Sequence, residues 1–283
     1  MKNLGKVFKE LRESRNISLR KATGGGFSAS LLSRFENGQS EISAQKLFIA
    51  LENIHANVEE LLFLARGFHQ DAYSEFRNRI FEAIDPQDLT SLRTLYQREY
   101  KQLPFSKDRQ QHILNAILIK SYMKTIDETV TLTSEEERVL HDYLFSVEIW
   151  GHYELLFFSS CSPLLSVQLF TKYTREMLRR SDFLQGVGKN WNMMHTLLLN
   201  AFMACIEVDD LTNALYFKKQ IEKNFFEENE TYFRIVYLWA EGLLDSKQGR
   251  AEEGQRKMED AVRIFEMIGC SKSADYYRNV IER

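Results

Sequence analysis

This sequence predicts an all-α chain, and three observations carry the prediction. Only three prolines occur in 283 residues, turn-rich stretches are few, and long segments place apolar residues at helical spacing. With 44% hydrophobic and 27% charged residues, the composition is that of an ordinary soluble protein of one to three domains, neither disordered nor fibrous. Charge divides the chain unevenly. Residues 1–40 carry eight Lys or Arg against three Glu, a balance of +5, and residues 41–66 return −2. From residue 67 onward, 27 basic residues face 33 acidic ones. A basic module on an acidic body suggests that only the first part meets a polyanion, a solvated charged surface being the alternative on charge alone. The expected division is therefore 1–66 and 67–283.

The first helix is read from Leu4, Val7, Phe8 and Leu11, which repeat at i, i+3, i+4 and i+7 as one apolar stripe. Ser18 then caps a short second helix running to about Thr23. Gly24, Gly25 and Gly26 follow, three of only 13 glycines in the chain. A helix that stops and reverses within a few residues needs backbone at positive φ, which glycine adopts without a Cβ penalty. A phosphate-cradling loop is disfavoured, because no strand precedes the glycines and neither G-x-G-x-x-G nor a Walker lysine is present. Phe27 is expected as a buried plug and Ser28 as the next cap.

The third helix is expected from Ser28 to Asn37, stopped by Gly38. At 100° per residue Leu32 and Phe35 point inward, and Ser30, Ser33, Arg34 and Asn37 form the opposite face. Hydroxyls that meet donors or acceptors, one arginine able to fork onto guanine, and short side chains suit a DNA major groove. A fourth helix follows the Ser43 cap with Ala44, Leu47, Phe48 and Leu51 as its apolar stripe. Asn57 with Glu60 forms a capping box for a fifth helix over Val58 to Ala65.

The run from Ile17 to Ser43, I-S-x(10)-S-x-S-x-L-S-R-F-E-N-G-x-S-E-I-S, resembles the helix-turn-helix of the xenobiotic-response-element class, and more narrowly the Rgg/GadR/MutR group of Gram-positive transcription regulators. The resemblance implies that Ser28, Ala29, Ser30, Ser33 and Arg34 approach bases, while Arg12, Arg15, Arg20 and Lys21 hold phosphates. In this class Glu36 pairs with an arginine of the first helix, and Arg12 is the matching position, which gives Arg12 a structural alternative. The second helix departs from the pattern, with Ala22 and Thr23 where a bulky core residue is usual, so looser packing is expected there.

From His69 onward amphipathic helices follow one another. Breaks are expected at Asp85-Pro86, Leu103-Pro104, Thr125 to Thr133, Cys161 to Pro163, Leu184 to Lys189, Val208 to Leu211, Gly249 and Gly269 to Ser271. Ser134 with Glu135, Glu136 and Glu137 reads as a helix start, carboxylates being favoured at the positive end of the dipole. The turns at Asp209 and Gly249 lie 40 residues apart, near the tetratricopeptide period of about 34 but longer, so degenerate tetratricopeptide-like pairs are expected. Stacked pairs curve, and their concave side suits an extended peptide. The Rgg resemblance makes this the dimerisation region and the receptor for a short hydrophobic signalling peptide. Trp150, Tyr153, Trp191, Asn192, Asn200, Arg234 and Trp239 are the candidate contacts, since a peptide backbone wants amide partners and apolar side chains want aromatic walls. Each is also a candidate for ordinary core or surface, Trp239 above all.

No enzymatic reading survives: the six histidines are scattered, neither H-E-x-x-H nor G-x-S-x-G occurs, and no cofactor or metal motif is present. Cys161, Cys205 and Cys270 are far apart and odd in number, fitting reduced core thiols. The charged opening MKNLGKVFKELRE and the lack of about 18 uninterrupted apolar residues predict a cytoplasmic protein with no membrane span. The leading expectation is a homodimeric regulator of a double-stranded DNA operator, tuned by a peptide in quorum sensing. The alternatives are a helical-repeat adaptor for other proteins, or a DNA-binding regulator with a non-peptide effector.

Overall fold

A computed structural model describes residues 3–84, 87–180, 188–223 and 225–281. Asp85-Pro86 and most of the expected break from Leu184 to Lys189 lie outside the described residues. Every regular element among those described is helical, as the scarcity of proline and the 3.6-residue periodicity require. The chain forms two compact units, 1–82 and 83–283, so the division falls within the sixth helix.

The first unit contains α1 (Leu4–Ser14), α2 (Leu19–Thr23), α3 (Ala29–Glu36), α4 (Ala44–Asn53), α5 (Val58–Ala65) and most of α6 (Ala72–Ile84). Each of the first five starts on a side-chain cap. Asn3 Oδ1 accepts from Gly5 N at 2.9 Å, Ser18 Oγ from Lys21 N at 3.2 Å, Ser28 Oγ from Leu31 N at 3.2 Å and Ser43 Oγ from Lys46 N at 3.4 Å. Asn57 and Glu60 close the capping box of α5. Such caps matter because helices this short are marginal without them. Val7, Phe8, Leu32, Phe35, Leu51, Ile54 and Leu61 fill the core between them.

Two expectations for this unit change. Phe48 is 51% exposed and Ala44 is exposed, because the buried stripe of α4 runs through Ala50, Leu51 and Ile54 with Leu47 beside it. Nor is α2 loosely packed. Ala22 and Thr23 are buried, and Asn53 Nδ2 donates to Ala22 O at 3.0 Å, an amide taking the place of a bulky apolar contact. Gly24 sits at φ 55° as the left-handed cap of α2, with Gly25 at 81°. A Cβ on Gly24 would also lie 2.5 Å from Asn53 Nδ2, so both conformation and space demand glycine there.

The second unit holds α7 (Leu89–Gln102), α8 (Arg109–Ile126), α9 (Ser134–Ser146), α10 (His152–Cys161), a 3-10 turn (Ser162–Leu164), α11 (Val167–Arg180), α12 (Gly188–Glu207), α13 (Leu211–Lys223), α14 (Thr231–Lys247), α15 (Ala251–Met267) and α16 (Ser271–Ile281). Sequential neighbours pack as hairpins: α7 on α8, α12 on α13, α14 on α15 and α15 on α16. The tight turns of the last pairs carry Asp209 at φ 57° and Gly249 at 85°. The α14–α15 pair closes backbone to backbone, since a Cβ on Gly254 would fall 2.4 Å from Gly242 O. α9 starts at Ser134 as expected, with Thr133 as its cap, reciprocated by Glu136.

Candidate nucleic-acid interface and ligand cavity

In the first unit α3 buries Leu32 and Phe35 and turns Ser30, Arg34 and Asn37 outward, with Ala29 and Ser33 half-buried. Asn37 Nδ2 donates to Ser33 O at 2.9 Å, which ties the last turn and orients the amide. Ser28 is exposed, and because its oxygen accepts from Leu31 N its O–H remains a donor toward the outside. Arg20 and Lys21 on α2 are exposed beside it. Among the described residues Arg20, Lys21 and Arg34 form no ion pair, which leaves their charges open to an anion.

Arg15 is partly committed: Nη1 donates to Leu11 O at 3.1 Å and Nη2 stands 3.5 Å from Glu60 Oε2. Arg12 must be removed from the phosphate-binding set. It is 7% exposed, and it forks onto Glu36 with Nε to Oε1 at 2.6 Å and Nη2 to Oε2 at 2.7 Å. Its Nη1 donates to Ile17 O at 2.7 Å. The hydrogen bond to Glu36 holds the guanidinium pKa up against the opposing effect of burial. The pair therefore bolts α1 to the end of α3, which fixes how the outward face of α3 is presented.

The peptide candidates of the second unit separate on inspection. Trp150 is fully buried against Phe158 at 5.4 Å and is core. Arg234 is exposed but donates to Phe226 O at 2.8 Å and Glu227 O at 3.1 Å while lying over the Phe225 ring, so it braces the entry to α14. Trp191 joins His195, Phe226 and Phe233 in an aromatic cluster, its ring 4.7 Å from His195. Gln111 Nε2 donates to Tyr153 Oη at 2.8 Å, and Asn192 is exposed.

Asn200 and Trp239 are the two candidates that share a cavity. It has a volume of about 650 Å³ and is walled by α11, α12, α14, α16, the 3-10 turn and the loop before α9. Phe170, Met203 and Tyr277 supply apolar wall. Trp239 is 2% exposed, and its indole Nε1–H is buried with no acceptor.

Sequence reasoning missed a second buried ion pair. Glu136 is completely buried, with Lys120 Nζ at 2.6 Å from Oε2 and the hydroxyls of Tyr96 and Tyr100 donating to Oε1 at 2.9 and 3.0 Å. Thr133 N also donates to Oε2, at 2.7 Å. Burial opposes the charged carboxylate, but these donors outweigh it and hold the Glu136 pKa below the carboxylate range. Lys120 Nζ further donates to Thr131 O at 3.0 Å, pinning the α8–α9 loop. The signal in the sequence was a lone lysine inside the apolar run ILNAILIKSYM, a cation that a buried face holds only with a partner.

Cys161 and Cys205 are buried, Cys270 is half-buried, and all three are free thiols. Among the described residues no group of His, Cys, Asp and Glu could hold a metal, and no helix is long and apolar enough to cross a membrane.

Residues 94–279, about two thirds of the chain, match the family described as HTH-type transcriptional regulator Rgg, C-terminal domain. The SHP pheromone receptor Rgg2 of Streptococcus dysgalactiae is similar in structure, at 25% identity and a TM-score of 0.83 over 98% of this chain and 97% of that one. A putative transcriptional regulator from Listeria monocytogenes superposes with a TM-score of 0.81 at 19% identity, over 99% of this chain and 96% of the other. The PrgX/cCF10 complex shares the fold at 16% identity, with a TM-score of 0.72 over 99% and 98% of the two chains.

Proposed function

The chain belongs to the Rgg family of HTH-type transcriptional regulators, and on that premise we propose that residues 1–66 bind a double-stranded DNA operator while residues 67–283 dimerise and bind a short apolar peptide. The chain is a regulator of transcription and not an enzyme. The observation that carries the DNA reading is the outward face of α3, with Ser30, Arg34 and Asn37 exposed and Arg20, Lys21 and Arg34 unpaired. Arg34 forks onto a guanine edge, the serines and Asn37 read neighbouring bases, and Arg20, Lys21 and the Ser28 hydroxyl anchor phosphates. In a homodimer the two α3 helices enter successive major grooves of a pseudo-symmetric operator, roughly 34 Å apart or at a longer spacing.

Footprinting on genomic fragments tests this. The wild-type chain protects discrete sites with an affinity that falls steeply with salt. Arg34→Ala weakens those sites by about 1–3 kcal/mol and relaxes the preference at one base pair, with folding unchanged. An unaltered footprint in that variant overturns the assignment, and a chain that protects no discrete site is an adaptor instead.

The peptide reading is supported by the cavity at Asn200 and Trp239, where an amide and apolar walls meet, and by two similar structures being an SHP pheromone receptor and a bacterial peptide pheromone/receptor complex. A cytoplasmic chain then couples a reimported signalling peptide to promoter occupancy. Calorimetric titration with short apolar peptides encoded near the gene tests it, and silence across the set favours a non-peptide effector.

A further inference from the structure

Among the described residues the charges lining the cavity of the second unit are of one sign: Glu128 and Glu207 are there, and no Lys, Arg or His is. Both carboxylates are exposed, and neither has an ion-pair partner among the described residues. Some carboxylates of this unit are matched among the described residues: Asp245 holds Lys257 and Arg250, Glu241 and Glu222 hold Lys218, and Asp209 holds Lys247. Glu128 and Glu207 are left open to a ligand.

Their placement adds to the field. Glu207 is the last residue of α12, whose final turn also brings Met203 and Ala204 into the wall. The C-terminal end of a helix carries partial negative charge, so α12 reinforces Glu207 rather than offsetting it. Glu128 stands on the α8–α9 loop, which is held from inside. Lys120 and Lys124 donate to the carbonyls of Thr131 and Val130, and the Asp127 side chain accepts from Thr129. Glu128 is thereby presented by a braced segment, its carboxylate uncommitted. Trp239 lines the same cavity.

An occupant that satisfies these has a positive group for the two carboxylates and apolar side chains for Phe170, Met203 and Tyr277. We propose that this cavity selects a short apolar peptide bearing a cation, and discriminates against one bearing a carboxylate at that end. This inference rests on the peptide reading given above. The positive group comes either from the peptide's own amino terminus or from a Lys or Arg side chain.

Affinity selection from a synthetic random octapeptide library tests the proposal, with half of the library amino-terminally acetylated. The full-length chain and its Glu128→Gln/Glu207→Gln variant are used in parallel, and retained peptides are read by mass spectrometry. Both substitutions are at exposed positions, so the variant keeps its helical circular dichroism. The wild-type chain enriches apolar peptides with a positive charge and depletes those with Asp or Glu. Enrichment confined to free amino termini identifies the α-ammonium, whereas Lys or Arg enrichment in the acetylated half identifies a side chain. In the double variant the charge bias disappears and cationic peptides bind about three- to tenfold more weakly. Retention of neutral or acidic peptides by the wild-type chain, or an unchanged bias in the variant, overturns the charge inference and leaves the peptide reading standing. If neither protein retains any peptide, the peptide reading falls and this inference with it.

Discussion

Among the described residues each unit holds an ion pair whose carboxylate is almost wholly buried, Arg12–Glu36 in the first and Lys120–Glu136 in the second, and the two are built differently. In the first unit Arg12 meets Glu36 through two parallel hydrogen bonds, and no other group donates to that carboxylate among the described residues. In the second, Lys120 contributes a single hydrogen bond to Glu136, and two tyrosine hydroxyls and a backbone N–H complete the shell. A guanidinium fork sets orientation as well as charge, whereas an ammonium is a point charge that needs neighbours to define geometry. The fork sits where α3 must be aimed. The point charge sits where a loop must be held shut.

That contrast can be broken by removing the cations. Arg12→Met leaves Glu36 buried and alone, so we expect the largest loss, about 3–5 kcal/mol. Replacing both partners, Arg12→Met with Glu36→Leu, recovers most of it while misdirecting α3 and weakening operator binding. Lys120→Met leaves Glu136 with three donors, and the loss should be smaller, about 1.5–3 kcal/mol. All three tryptophans lie beyond residue 82, so tryptophan fluorescence reports the second unit alone and hydrogen exchange of α1 and α3 reports the first. Equal losses in the two variants would show that the extra donors around Glu136 contribute nothing.

The same two pairs explain how far the sequence could be read. Arg12–Glu36 was accessible because it belongs to a compact motif whose caps, glycine stops and apolar stripe are each local, within a few residues of one another. Phe48 misled because α4 packs on one side only, and spacing by itself does not say which of two overlapping stripes faces the core. Lys120–Glu136 joins α8 to α9, and its tyrosines come from α7; nothing local links those positions. The cavity is harder still. Its wall draws on six segments between Glu128 and Val280, so Asn200 and Trp239 could be named as types of residue, but Glu128 and Glu207 could not. Trp150 and Arg234 failed for the same reason, since an aromatic or a cation is as useful to the core or to a helix entry as to a ligand.

Acid probes the pair of the second unit directly. The Glu136 pKa is lowered from 4.5 on folding, so its contribution is fully present above that ordinary value. It is lost as pH falls through the lower folded-state pKa. Tryptophan-detected stability of the second unit should therefore decline below about pH 4.5 more steeply in the wild type than in Glu136→Gln. The Arg12 pKa is raised by its hydrogen bond to Glu36, so the arginine keeps its charge throughout that range. Parallel acid curves for wild type and Glu136→Gln would argue against a charged Glu136.

The smallest effect compares two helix caps. Ser28 caps α3 through Leu31 N, and Thr133 caps α9 through Glu136 N at 3.3 Å. Each change to alanine should cost about 1 kcal/mol, because each leaves one end-of-helix N–H without its side-chain acceptor. Their consequences for DNA differ. Thr133→Ala leaves operator affinity untouched in the absence of peptide, whereas Ser28→Ala also removes an exposed hydroxyl from the face that meets phosphate. Ser28→Asp separates the two roles. Aspartate is at least as good a cap as serine, so exchange protection of α3 should return to the wild-type level. A carboxylate facing a phosphate repels it, so operator affinity measured by fluorescence anisotropy should fall below that of Ser28→Ala. If Ser28→Asp instead binds as tightly as wild type, then position 28 acts through the cap alone, and the DNA-facing surface is confined to Ser30, Ser33, Arg34 and Asn37 with their flanking cations.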